Sequence, residues 1–296
     1  MKIGLKRLKK FVTIGLILAL SMTTLAGCSG ETAEPEKADE SKGTVNIGMV
    51  SWAECVAVSN LWKVILEDKG YDVELTQLDA APLYVGLNKG DLDLFLDAWL
   101  PVTQESYWNE YKDNLDDYGT WYQADAKIGI VVPQYVDITT IEEMAANKDK
   151  FNGEIIGIDP GAGIMKAANA ANEDYGLGFD VIQGSEAAMM AAFEKAYKNE
   201  EWIAITGWSP HWMFAKYDVK YLEDSKLSFG EAEELHALAN KNFTSENPDV
   251  ADMIKNFKMT DADIGSLEAL IVEGMDPLEA AQQWISENEE TVNSWM

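Results

Sequence analysis

The feature that most constrains the fold is a regular alternation of strand patterns and helical patterns from Thr44 onward. Seven stretches rich in β-branched or alternating apolar residues are predicted strands: 45–51, 71–77, 92–97, 127–132, 154–159, 202–206 and 235–240. Helical spacing of apolar residues separates them, at 55–69, 81–89, 108–115, 164–174 and 185–198, and continues through the tail 248–295. This order predicts an α/β fold with largely parallel sheets.

About 250 residues follow the start of this pattern, which is more than one compact core usually holds, so two lobes are expected. Extended stretches near 131–136 and 234–242 are the predicted crossings between them. Residues 44–133 plus 236–296 would then form one lobe and residues 134–235 the other. Ligands of such proteins bind in the cleft between the lobes, near the carboxyl ends of strands.

The N-terminal residues 1–27 have the pattern of an export signal. A cationic segment leads into an apolar run at 11–20, and small residues follow. Residues 28–43 are polar and contain no large apolar side chain, which predicts a flexible tether.

Leu25-Ala26-Gly27-Cys28 is similar to the lipobox of bacterial lipoproteins. That resemblance implies that Cys28 is acylated with diacylglycerol and becomes the mature N-terminus. An ordinary signal peptide, in which Cys28 is incidental, is the alternative. The expected location is the outer face of the cell membrane, held there through the lipid alone.

Charge and cysteine content exclude several classes of protein. Lys and Arg number 23 against 51 Asp and Glu, a formal net charge of −28, which argues against nucleic-acid binding. With Cys28 acylated, only Cys55 remains, so we expect no intramolecular disulfide and a buried free thiol. Two histidines and one thiol argue against a metal site, and no cofactor is expected.

Catalytic motifs are weak. Ser209 and His211 stand two residues apart around Pro210 and do not form G-x-S-x-G, and His236 is the other candidate base. The glycine turn at 161–163 fits neither a dinucleotide fingerprint nor a P-loop. The chain is therefore predicted not to be an enzyme, and an extracellular α/β hydrolase is the alternative from a different class.

Three of the ten tryptophans follow predicted strands. Trp52, Trp99 and Trp208 come just after the strands at 45–51, 92–97 and 202–206, whereas Trp62, Trp202 and Trp284 fit core patterns. Core packing explains any one tryptophan, but three in equivalent places predict an aromatic cluster in the cleft. Such rings suit a quaternary ammonium, whose cation–π contacts are worth about 0.5–2 kcal/mol each.

The turn at 159–164 is a candidate site for a negatively charged group of the same ligand. A strand leads through glycines into a helix, whose free N–H groups can bind an anion. A tight turn without a ligand is the alternative. A zwitterion with a quaternary ammonium and a carboxylate would match both the tryptophan cluster and this anion site.

The sequence resembles the substrate-binding proteins of glycine betaine/proline betaine ABC transporters. The matching strings are VSWAE around Trp52, DAWLP around Trp99, IVVPQY at 130–135, IGIDPGAGIM at 156–165 and GWSPHWMF at 207–214. The resemblance implies a two-lobed periplasmic-binding-protein-like fold of type II. It also implies an aromatic box of Trp52, Trp99 and Trp208, with the backbone amides of Gly163 and Ile164 on the ligand carboxylate.

Gln104 departs from the family pattern, which often has a carboxylate-binding histidine there. Its neutral amide is the weaker donor, and His211 could contribute instead, although a structural hydrogen bond is the other interpretation of that histidine. Carnitine, choline or a dimethylsulfonio compound are therefore alternative ligands. The resemblance implies an ABC permease and a separate ATPase as partners, and a sensor without a transporter is a further alternative.

Overall fold

The computed structural model describes residues 41–296, which form a mixed α/β structure. Within this range the strands are β1 (Thr44–Met49), β2 (Asp72–Gln77), β3 (Leu94–Leu100), β4 (Leu115–Thr120), β5 (Lys127–Pro133), β6 (Glu154–Ile156), β7 (Asp180–Ile182), β8 (Ile205–Ser209), β9 (Val219–Tyr221) and β10 (Glu234–Asn240).

The α-helices in the same range are α1 (Ala53–Asp68), α2 (Ala80–Lys89), α3 (Glu105–Tyr111), α4 (Gly163–Asp174), α5 (Glu186–Lys198), α6 (Met213–Lys216), α7 (Lys241–Glu246), α8 (Pro248–Asn256), α9 (Asp261–Val272), α10 (Pro277–Glu287) and α11 (Glu289–Asn293). Two 3-10 helices cover Lys112–Asn114 and Glu142–Phe151. The helical tail predicted for 248–295 is thus four helices.

The strands form two sheets with the same layout. The first has the order β2-β1-β3-β10-β4 and the second the order β7-β6-β8-β5-β9. In each sheet three neighbours run parallel, and the fourth strand, β10 or β5, runs antiparallel to both of its neighbours. The prediction of largely parallel sheets is therefore wrong in this respect. β5 and β10 each begin where the chain arrives from the other sheet, and so they run against the strands that they join.

Three strands, β4, β7 and β9, were not predicted from the sequence. Each lies at the edge of its sheet, and β7 and β9 have only three residues. Edge strands need not be apolar on both faces, and β4 reads LDDYGT. Their sequences consequently lack the buried pattern by which the central strands were found.

The chain crosses between the sheets at 121–126 and again at 222–233. The crossings run side by side, because Ala126 and Glu233 exchange two backbone hydrogen bonds of 2.9 and 2.8 Å. The predicted boundary at 133 is wrong, since β5 belongs to the second sheet and pairs with β8. Pro133 marks the far end of that strand, and the true crossing contains the buried Trp121 and Tyr122, so it does not resemble a linker. We define the first lobe as residues 44–125 and 234–296, and the second lobe as residues 126–233.

An aromatic cluster fills the core of the first lobe between the sheet and the C-terminal helices. The Trp62 ring packs edge-on against Phe257 at 5.3 Å, and Phe257 stacks on Trp121 at 5.2 Å between ring centroids. Trp295 packs against Phe257 at 4.9 Å and stacks on Trp284 at 6.3 Å. The C-terminal end of the chain is therefore built into the lobe that contains the N-terminal strand β1.

Other predictions concern single residues or the N-terminal segment. Cys55 is a buried free thiol, as predicted. In residues 41–296 no helix is both long and apolar enough to cross a bilayer. The predicted signal peptide, Cys28 and the tether up to residue 40 lie outside the described residues.

We expect Trp295→Ala to lower the free energy of unfolding by about 3–5 kcal/mol, because the ring is almost fully buried and its removal leaves a cavity. Met296→Ala, at the neighbouring exposed position, is the control and should change it little. Urea unfolding of the purified variants measures both values. A loss below 1 kcal/mol for Trp295→Ala would contradict the packing described above.

Candidate functional site

The three tryptophans at strand ends meet at one cavity between the lobes. Trp52 is the N-cap residue of α1 just after β1, Trp99 is near the end of β3, and Trp208 is near the end of β8. The cavity encloses about 260 Å³, counting the part open to solvent. Its lining comprises Trp52, Glu54, Trp99, Thr103, Ile128, Ile158, Ala162, Gly163, Ile164 and Trp208. Five predicted site residues, the tryptophans with Gly163 and Ile164, are thus brought together from both lobes.

Hydrogen bonds hold two of the indoles by their N–H edges across the gap between the lobes. Trp52 Nε1 donates to Asp159 Oδ1 at 3.1 Å, and Trp208 Nε1 donates to Glu54 Oε2 at 2.8 Å. Trp99 Nε1 is buried without a hydrogen-bond partner among the described residues. With the polar edges of Trp52 and Trp208 occupied elsewhere, apolar carbon forms the accessible wall of the cavity.

The start of α4 forms the opposite side of the cavity. Gly163 and Ile164 are its first two residues, and the N-cap residue Ala162 has no side-chain group that could accept their N–H bonds. These amides are therefore available to an acceptor in the cavity. A side chain at position 163 has no room, because a Cβ there would overlap the carbonyl group of Thr103 in the first lobe.

A cluster of buried acids lies behind the tryptophans. Burial and the nearby charge of Glu186 raise the pKa of Glu54 to about 8. The pKa of Asp97 is held well above its usual range by burial and by Glu54, and burial likewise raises the pKa of Glu268 well above its usual range. In the described part of the chain, no Lys or Arg forms a salt bridge with these three acids. Five of their six oxygens lack a hydrogen-bond partner there, and only Oε2 of Glu54 has one.

His211 does not line the cavity. Its Nδ1 accepts the backbone N–H of Met213 at 3.0 Å, so the ring proton is on Nε2, which faces Glu186 Oε1 at 3.2 Å. The other oxygen of Glu186 accepts the backbone N–H of Ala53 at 2.9 Å, across the lobes. The ring also meets Trp208 edge-on at 4.7 Å. The structure therefore places His211 behind the aromatic wall in a structural hydrogen bond, which was the other interpretation of this residue.

Gln104 does not line the cavity either. It is buried, and its Oε1 accepts the hydroxyl proton of Tyr84 at 2.6 Å. In the preceding turn the Glu233 carboxylate accepts the backbone N–H groups of Val102 and Thr103, which holds Thr103 at the cavity. The hydrogen bond from Tyr84 holds the Gln104 side chain in the core. The idea that Gln104 contacts the ligand carboxylate is not supported by its position.

The hydrolase arrangement does not form. Ser209 Oγ pairs with the Tyr221 hydroxyl at 2.9 Å, whereas His211 faces Glu186. His236 lies on β10 and pairs with Asp117 at 2.8 Å. In residues 41–296 no group of three His, Cys, Asp or Glu side chains could hold a metal ion.

Sequence reasoning missed Glu54 and Thr103 as residues of the cavity. Glu54 stands two positions after Trp52, in the first turn of α1, so it faces the same gap. Among 51 acidic residues nothing in the sequence singles it out. Thr103 likewise depends on Glu233, which is 130 residues away along the chain.

The raised pKa of Glu54 makes the stability of the fold pH-dependent. Between the ordinary value of 4.5 and about 8, the folded state holds a proton that the unfolded chain has lost. The free energy of unfolding should therefore fall as pH rises through this range, by at most about 1.4 kcal/mol per pH unit for one group. Glu54→Gln cannot ionise and should show a shallower fall in urea unfolding at a series of pH values. Exposed Glu105→Gln is the control, and equal slopes for Glu54→Gln and wild type would contradict this origin.

Comparisons with known proteins agree with this geometry. The family described as the substrate binding domain of ABC-type glycine betaine transport system matches residues 43–287. The glycine betaine/carnitine transport binding protein GbuC of Listeria monocytogenes is 40% identical over 163 residues, which cover 53% of this chain and 54% of that protein. That alignment thus spans about half the length of the Listeria protein.

Two solved structures are also similar. Lactococcal OpuAC, closed on glycine betaine, is 34% identical with a TM-score of 0.81, and the match covers 86% of this chain and 99% of that one. An ABC-transporter choline-binding protein in complex with choline is 27% identical with a TM-score of 0.79, over 85% of this chain and 91% of that one. The predicted two-lobed periplasmic-binding-protein-like fold is confirmed.

The family consists of binding proteins of transporters, which confirms that this chain is not an enzyme. Binding proteins of ABC importers act outside the cytoplasm. On the extent of the match, the chain belongs to the family of substrate-binding domains of ABC-type glycine betaine transport systems.

Proposed function

We propose that this protein captures glycine betaine, or a closely related quaternary ammonium compound, in the cavity between its lobes and delivers it to an ABC permease. A separate ATPase would supply the energy. The observation that carries the proposal is the meeting of Trp52, Trp99 and Trp208 with the start of α4 at one cavity. The residues that line the cavity come from both lobes and are mostly apolar or aromatic, as is usual for small-molecule sites.

The cationic end of the ligand would lie among the tryptophans. A trimethylammonium group has no N–H to donate, so an apolar wall costs it no hydrogen bond. Each indole face adds about 0.5–2 kcal/mol by cation–π attraction, depending on desolvation. The hydrogen bonds of the Trp52 and Trp208 indoles run between the lobes, so they hold these two rings in place when the lobes are closed.

The carboxylate end would lie at Gly163 and Ile164. Two backbone N–H groups at a helix start favour an anion through both their hydrogen bonds and the helix dipole. Because Gln104 and His211 are turned away, these amides carry the anion site without a charged side chain. This geometry supports glycine betaine over choline, which has no carboxylate.

The ligand would also hold the lobes together. Trp52 and Trp99 come from the first lobe, and Trp208 and Gly163 come from the second, so a bound ligand touches both. A ligand shifts a conformational equilibrium only by binding one state better, and contacts from two lobes exist only in the closed state. Closure then presents one shape to the permease.

Carnitine and choline remain the second candidates for the ligand. The Listeria relative is named for glycine betaine and carnitine, and one similar structure holds choline. Dimethylsulfonio compounds share the same cationic methyl surface. We further propose that Cys28 anchors the protein by lipid at the outer face of the membrane, which the sequence 25–28 supports.

Trp208→Ala should weaken the binding of glycine betaine by about tenfold or more, since it removes one aromatic wall. Trp202→Ala is the matched control, because this tryptophan of the same lobe packs on Phe151 and does not line the cavity. Calorimetric titration with glycine betaine, choline and carnitine measures the affinities and their order. Absence of binding for all three in the wild-type protein would overturn the proposed function.

Gly163→Ala should abolish tight binding, because its methyl group would overlap the Thr103 carbonyl and keep the lobes apart. Gly161→Ala, two residues earlier in the same turn, is the control. The methyl group added there would have the Tyr107 hydroxyl as its nearest neighbour, at 3.9 Å. This control should keep its affinity. Small-angle scattering with and without glycine betaine would follow closure. Normal closure of Gly163→Ala would show that contact at this point is not needed.

A further inference from the structure

The aromatic cavity contains one ionisable side chain, Glu54. This residue is fully buried, and its Oε2 accepts the Trp208 N–H at 2.8 Å. Its Oε1 is buried without any hydrogen-bond partner in residues 41–296. A carboxylate with one oxygen unsatisfied is costly to bury, and an indole N–H cannot neutralise its charge.

The ionisable groups around Glu54 are acids from several different elements. Asp97 comes from β3, Glu186 from α5 and Glu268 from α9. The charge of Glu186 raises the pKa of Glu54, and the charge of Glu54 in turn raises the pKa of Asp97 and of Glu268. Asp159, from the loop after β6, accepts from Trp52 on the same cavity wall.

One basic residue, His211, contacts this cluster through its Nε2, which faces Glu186 Oε1. No Lys or Arg within the described chain forms a salt bridge to any of these acids. The empty site therefore lacks a counter-charge, and Glu54 keeps its proton, with its pKa raised to about 8.

We propose that Glu54 supplies the negative charge that pairs with the quaternary ammonium, and that it releases its proton to solvent as the cation enters the cavity. The balance is simple: a protonated carboxyl plus a cation in water gives a carboxylate–cation pair and one proton taken up by the buffer. The inference rests on the proposed function. It adds that ligand binding is coupled to the release of a proton. It also adds that the cavity selects its ligand by positive charge as well as by the shape of the methyl groups.

The sign of the pH dependence follows from this exchange. With the lobes closed and no cation in the cavity, Glu54 holds its proton up to about pH 8, and with the cation present it loses the proton at lower pH. Affinity should therefore rise with pH and level off above about 8. Each pKa unit by which the cation shifts Glu54 corresponds to about a tenfold rise in affinity. The quaternary ammonium has no proton of its own, so the release must come from the protein.

Calorimetry of choline binding in two buffers that differ in ionisation enthalpy measures the protons released. Choline suits this test because its other end is an uncharged hydroxyl, and 3,3-dimethylbutanol is its isostere with carbon in place of the charged nitrogen. Glycine betaine and 3,3-dimethylbutyrate form a second such pair. We expect proton release for each cation near pH 7, no release for its isostere, and stronger binding of the cations at higher pH.

Glu54→Gln keeps an oxygen for the Trp208 N–H but cannot ionise. It should lose proton release, show a flat pH profile and bind choline about tenfold more weakly than wild type above pH 8, while binding the isostere equally well. Asp97→Asn is the matched comparison, because Asp97 is buried nearby but does not line the cavity, and its proton release should persist. Thermal unfolding checks that both variants fold.

Different failures have different meanings. If wild-type protein binds a cation without releasing protons, the role of Glu54 is wrong and the proposed function stands. If the release persists in Glu54→Gln and disappears in Asp97→Asn, the titrating group is Asp97 and the inference is overturned. If neither quaternary ammonium binds at any pH, the proposed function fails, and the inference fails with it. The buffer comparison on wild type alone decides the first case, so it does not depend on the folding of a variant.

Discussion

The hydrogen bond from the Trp208 indole to Glu54 is the interaction on which the rest of the site depends. It joins the second lobe to the first at a buried point, and it fixes one wall of the cavity. A second indole hydrogen bond also joins the lobes, but here the donor, Trp52, is in the first lobe and the acceptor, Asp159, is in the second. Each lobe thus donates one indole N–H hydrogen bond to a carboxyl group of the other lobe. The aromatic cavity exists only where the two lobes meet.

Glu54, which accepts the hydrogen bond from Trp208, is buried at a free-energy cost that packing alone does not require. Replacing a buried charged or polar group with an apolar one of similar size is often neutral or stabilising. Asp97 and Glu268 are buried as well, and none of their carboxyl oxygens has a hydrogen-bond partner in residues 41–296, which adds to this cost. Features that are unfavourable for stability, such as buried carboxyl groups without a partner, concentrate at functional sites. A cavity that binds a cation is a site where buried carboxyl groups are useful.

Much of the site could be predicted because its residues stand at recognisable places. The tryptophans lie at or just past the carboxyl ends of strands, and Gly163 begins a helix, so topology brings them to the cleft between the two sheets. Glu54 could not be singled out, since one acid among 51 carries no signal. Gln104 was misplaced because its side chain pairs with the buried Tyr84, a contact that the sequence does not reveal. The crossing before β5 was also missed, because its buried aromatics resemble core.

Glu54 and Thr103, the two polar residues among the five unpredicted ones of the cavity lining, share a physical cause. Each is placed by a contact between segments more than 100 residues apart, one through Trp208 and the other through Glu233. Glu233 lies in the second crossing, where its backbone also pairs with Ala126. The same residue therefore ties the crossing segments to the cavity loop that meets Gly163. One residue thus contacts both the crossing segments and the loop that meets Gly163, so the position of that loop in the cavity depends on how the chain crosses between the lobes.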